Sequence, residues 1–172
     1  MESKGTELYC TACGKRWNLS EDCTLTALSG ETEFSHIPDW YAWERENVIK
    51  EVRSGEYKFE DEVEVYSMPR CWKFEKLGRA TVTHDAENGF VIKGHYRGQD
   101  WEIRRSPIEM NSLHVEYDYC YIKPLDCFDI STENDSFYCY PLSRTNVITK
   151  LAFATEEMYY MAMENTKQKV TK

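Results

Sequence analysis

The stretch "GRATVTHDAENGFVIKGHY", residues 78–96, decides the fold class. It reads as two strands, 78–85 and 89–96, joined by Glu87-Asn88-Gly89, and Asn-Gly is a strong signal for a tight hairpin. Upstream, "EDEVEVYSM" (60–68) has the same period of two: Val63 and Val65 fall on one face, Glu62, Glu64 and Tyr66 on the other. Downstream come "DWEIRRS" (100–106), "SLHVEYDYCYI" (112–122), "LDCFDIS" (125–131) and "DSFYCYP" (135–141), with Pro107, Asn111, Pro124 and Asn134-Asp135 in the turns. Seven short strands without helical crossovers predict an antiparallel sandwich or barrel.

The period changes on both sides of this run. Val147, Leu151, Ala154, Met158 and Met161 lie at helical spacing and predict a helix over 146–165. A strand over 147–154, with Thr155 capping a shorter helix, is the rival reading that the apolar stripe disfavours. Before the strands, "HIPDWYAWERENVIKEVRSGEY" predicts a helix with Asp39 as N-cap after Pro38. Its Trp40, Trp43, Val48 and Val52 fall near one face, the tryptophans as packing and docking surface, and Ser54-Gly55 ends it. The expected class is therefore α+β, mainly β. Seven antiparallel strands closed by one amphipathic helix is the order of a pleckstrin-homology-like domain, whose helix plugs an open end of the sandwich. The expected division is 1–22 as a partial metal knuckle, 23–58 as linker and helix, 59–168 as the strand domain and 169–172 as a tail.

Composition excludes several classes. With 172 residues, 41% hydrophobic and 14% aromatic, the chain can bury a real core. A net charge of −9 argues against nucleic acid, whose phosphates call for a basic face. Seven cysteines, an odd number and mostly single, indicate a reducing, cytoplasmic setting rather than a disulfide framework. The apolar runs are too short to span a bilayer.

"GTELYCTACGKRWNLS" (5–20) supplies half of a familiar device. Cys10 and Cys13, followed by Gly14 and Lys15, match one knuckle of a zinc ribbon, but a tetrahedral site needs four ligands and no second C-x₂-C follows. Three readings stand: a complete site from Cys10, Cys13, Cys23 and His36; a redox C-x-x-C, which should open a helix; and a chain cut at Met1 with the other knuckle upstream. The last is favoured. Zinc is the implied cofactor, and its site is incomplete in this chain.

Two further sets carry candidate chemistry. His95 and Asp100 form a His-x₄-Asp pattern, in which histidine serves as general base and the carboxylate orients it. They flank Arg97-Gly98 at the mouth of a hairpin, and no oxyanion or phosphate-binding stretch accompanies them, which favours a structural role. Arg70, Lys73, Lys76, Arg79, Lys93 and Arg97 gather around the first strands as candidate ligands for an anionic headgroup, diluted by Glu60, Glu62, Glu64, Glu75 and Asp85.

The run "GTELYCTACGKRW…GETEFSHIPDWYAWERENV…FEDEVEVYSMP…LGRATVTHD…GFVIKG" resembles the C-terminal region of bacterial 1-acyl-sn-glycerol-3-phosphate acyltransferase-like proteins, "HIPDWYxWER" being its most specific stretch. The resemblance implies an upstream catalytic domain that carries the His-x₄-Asp pair, the acyl groove and the first knuckle. Only Cys10 and Cys13 match a family metal position. The function this implies is a non-catalytic accessory region that docks to the catalytic domain, to a partner or to the anionic membrane surface. A self-standing enzyme using His95 and Asp100, and a zinc-ribbon interaction protein, are the alternatives.

Overall fold

The computed structural model describes residues 2–11, 13–71, 73–144 and 146–170; Met1 and the last two residues of the expected tail lie outside it. The chain divides into two compact units, 1–47 and 48–172, with the boundary inside a helix.

The first unit is built on a meander that sequence periodicity did not disclose. Strands β1 (Glu2–Lys4), β2 (Glu7–Tyr9), β3 (Arg16–Leu19) and β4 (Leu25–Ala27) form a four-stranded antiparallel sheet in chain order. Runs of three or four residues are too short to show a period of two. The segment expected to be linker thus contributes β4. Trp17 and Leu25 are buried, and Trp40 packs on Trp17 with ring centroids 5.0 Å apart. Phe34 stacks on Trp40, whereas Trp43, the other tryptophan of the expected packing face, touches Phe34 but stays 50% exposed.

Helix α1 (Ile37–Ser54) starts two residues before the expected cap, leaving Asp39 in its first turn, where a carboxylate suits the helix dipole. Gly55 follows with φ +78, the left-handed stop that glycine accepts at no steric cost. Val48 and Val52 are buried in the core of the second unit.

That unit is a seven-stranded antiparallel sheet, and each expected strand is present: β5 (Lys58–Ser67), β6 (Glu75–Asp85), β7 (Gly89–Tyr96), β8 (Gln99–Arg105), β9 (His114–Glu116), β10 (Cys127–Ser131) and β11 (Ser136–Pro141). The order is β8-β7-β6-β5-β11-β10-β9, so the first strand pairs with the last. Among the described residues β8 and β9 do not pair, and the expected barrel closure is not seen. The chain between them runs through the short 3₁₀ turn Pro107–Glu109 instead of a hairpin. Helix α2 (Ile148–Val170) packs against that turn and β9. Its buried Ile148, Leu151, Ala154 and Met158 join Val63, Val65, Val82, Ile92, Phe128 and Ile130 in one core. The stripe is the expected one. The helix runs further than expected, to Val170, and the rival strand over 147–154 is absent: Leu151 N–H already donates to Val147 O at 3.1 Å.

The segment 112–122 shows the largest local difference. Only His114–Glu116 is strand; the chain from Tyr117 to Asp126 then crosses the outer face of β10 and β11. Tyr119 stacks on Tyr138 (5.3 Å, 7°), and the Lys123 ammonium pairs with Glu64 beneath. This strap buries Cys127, Tyr138 and Tyr140 in a second, smaller core.

Candidate functional site

The metal knuckle is a hairpin tip. Between β2 and β3, Cys10 N–H donates to Lys15 O at 2.9 Å and Gly14 N–H donates to Cys10 O at 2.8 Å. Gly14 has φ +73, a conformation that a residue with Cβ would adopt only under strain. Cys10 is half-buried and Cys13 exposed. Two thiolates displayed at one turn suit zinc as half of a tetrahedron.

The four-ligand alternative is overturned by topology. Cys23 lies in the Ser20–Thr24 turn, beyond the opposite end of β3, and His36 is bridged to Thr24 there. Strand β3 alone puts about 10 Å between the two ends at 3.3 Å per residue, whereas zinc–sulfur bonds are about 2.3 Å. Among the described residues no three histidine, cysteine or carboxylate side chains are placed to hold a metal ion. The redox reading also lacks its context, because Cys13 leads into β3 and not into a helix.

The histidine–aspartate candidates do meet. His95 and Asp100 are paired residues of the β7–β8 hairpin, with His95 Nδ1 2.7 Å from Asp100 Oδ1. Their turn has positive φ at both Arg97 (50) and Gly98 (79), the twist of a tight type I′ connection. Both side chains stand in solvent, 62% and 94% exposed. With Arg79, Lys93 and Trp101 they line a cleft of about 520 Å³ that is open to water, so a base held there is not desolvated.

Of the six candidate headgroup cations, Arg79 and Lys93 line one open cleft with His95 and Asp100, and the other four are not among its lining residues. Lys76 pairs with Glu64 (2.5 Å), Arg79 with Glu62 (3.4 Å), Lys93 with Glu102 (3.4 Å) and Arg97 with Glu75 (3.0 Å). Arg70 sits in a left-handed conformation (φ 55) in the turn after β5, and Lys73 is exposed in the same connection. Four of the six thus already face a carboxylate across or along the strands.

Sequence reasoning passed over two other histidines. His84 is buried in the core; Tyr57 Oη lies 3.1 Å from its Nδ1, and Phe90 stacks on it at 3.8 Å. Burial pushes its pKa down to about 3, so it is neutral near pH 7. His114 of β9 hydrogen-bonds Asp129 of β10 and lies 3.6 Å from Glu116, and the Asp129 partner raises its pKa. That carboxylate is 9% exposed, far better sheltered than Asp100. Neither pair has a fixed sequence spacing, and only strand register discloses them.

No protein-family model, no curated protein and no solved structure matches this chain.

Proposed function

We propose that this chain is a non-catalytic accessory region, for docking or regulation, of a 1-acyl-sn-glycerol-3-phosphate acyltransferase-like protein. The observation that carries the reading is the placement of His95 and Asp100 at an exposed hairpin tip, where a general base lacks a site shielded from water. The strand order of the second unit, with its helix along the gap between β8 and β9, supports a pleckstrin-homology-like identity. Cys10 and Cys13 then hold two positions of a zinc site whose other two ligands come from outside this chain. Glu2 pairs with Tyr9, so polypeptide entering β1 arrives at the knuckle end of the sheet. Attraction to an anionic membrane is weak on this reading, because four of the six candidate cations already face a carboxylate. No helix among the described residues is long and apolar enough to cross a membrane.

The test supplies the purified chain with lysophosphatidic acid and acyl-CoA. The expected result is no turnover above buffer. Turnover abolished by His95→Ala, with the fold intact, establishes the self-standing enzyme instead.

A further inference from the structure

We infer that the mouth of the seven-stranded unit is a docking cleft for a basic side chain, lysine or arginine, carried on an apolar segment of a partner protein. The inference rests on the docking reading for the existence of a partner, but its chemistry comes from the cleft itself. At the mouth the ends of β5, β6, β8 and β11 enclose a cleft of about 450 Å³, within the range of ligand sites. Its apolar wall is Leu77, Trp101, Ile103 and Phe137, which pack on the edge of the core.

The depth of the cleft depends on one glycine. A Cβ on Gly94 would stand 2.3 Å from Trp101 Cζ2, so only glycine lets the indole lie against β7. Phe137 faces it nearly parallel, 6.3 Å between centroids and 21° between planes. The aromatic surface is therefore laid along the walls and does not fill the mouth.

Charge selects the occupant. Four carboxylates line the cleft, Glu75, Asp100, Glu102 and Asp135, and no lining residue is cationic. Two are paired with cations from outside, Glu75 with Arg97, and Glu102 with Lys93 and Arg104, and Asp100 is hydrogen-bonded to His95. Asp135 differs. It accepts from Ser67 Oγ (2.6 Å) and Met68 N–H (2.9 Å), both neutral, and among the described residues no cation pairs with it. A fixed carboxylate beside indole and phenyl faces favours a cation on an apolar stem and repels an anion. The rim already shows this chemistry once, where the Arg97 guanidinium lies 4.9 Å above the Tyr96 ring.

The test titrates the full chain with acetyl-GLRLG-amide and acetyl-GLELG-amide and follows the Trp101 indole N–H and the Gly94 amide by NMR. The arginine peptide should shift both signals saturably, leaving Val52 and Leu151 unmoved, and the glutamate peptide should shift neither. Asp135→Asn should weaken binding about tenfold, the loss of one charge-assisted contact. Because Asp135 also holds Ser67 and Met68, Gln99→Lys is the second variant: Gln99 is exposed at the rim, and a cation there should abolish binding without touching the packing. Equal shifts from both peptides, or no shift at Trp101, overturn the inference. Phenethylammonium binding tighter than the peptide also overturns it, reassigning the cleft to a free amine. None of these outcomes bears on the turnover assay, so the two readings fail separately.

Discussion

At the scale of single residues, His84 and His114 give the molecule opposite responses to acid. His84 is neutral in the fold down to about pH 3, whereas the unfolded chain protonates it near 6.5. Between those values the unfolded state binds more protons, so stability is present above pH 6.5 and falls as pH drops through the window. The slope from this group approaches about 1.4 kcal/mol per pH unit. Urea midpoints for the wild type and His84→Gln should converge on acidification; parallel curves would contradict the buried neutral imidazole. His114 has the reverse sign. Its raised pKa contributes stability below the unfolded value, and that contribution fades as pH rises through the folded one. Loss of His114 should therefore matter more at pH 5.5 than at pH 8, where a pH-independent effect would exclude the Asp129 pairing. These roles were invisible in the sequence, because burial and cross-strand register are tertiary properties. The Asn88-Gly89 turn was legible, since Gly89 has φ +67 and a Cβ there would stand 2.1 Å from Arg105 O.

At the scale of elements, what could be read was what carries a long period. Strand β5 alternates buried and exposed residues over ten positions, and the stripe of α2 runs from Val147 to Met161. Leu151→Ala removes a fully buried side chain at the centre of that stripe, so unfolding should cost about 2–5 kcal/mol less. A loss under half a kilocalorie, about the size of a surface change, would mean that the helix does not seal this core. What misled was alternation without a partner strand. "VEYDYCYI" reads as β, yet Tyr119 gains more by stacking on Tyr138, and Lys123 by meeting Glu64, than either would on an unpaired edge. Glu64→Gln should loosen the strap, seen as faster amide exchange over 117–126 with α2 unchanged. Uniform exchange across both segments would contradict this assignment.

At the scale of the whole molecule, the net charge is −9, and four of the six candidate cations already face a carboxylate. The candidate headgroup set was legible as residue types only; whether a cation is free depends on which glutamate the register sets beside it. The metal half-site was legible as a knuckle, and the topology has since separated it from Cys23 and His36. Zinc should accordingly bind the isolated chain weakly, or at half an equivalent where two knuckles share an ion, and Cys10→Ser should remove it. Tight zinc at one equivalent per monomer would contradict the half-site.

If this region works by protein docking and not by lipid chemistry, its attraction to an anionic membrane is weak. The most direct measurement is sedimentation with phosphatidylglycerol vesicles, made first at low salt and then at physiological salt. Weak association that disappears as screening shortens to about 8 Å is expected, with little change in Arg79→Gln or Lys93→Gln. Tight binding that survives physiological salt and is lost in those variants would contradict it.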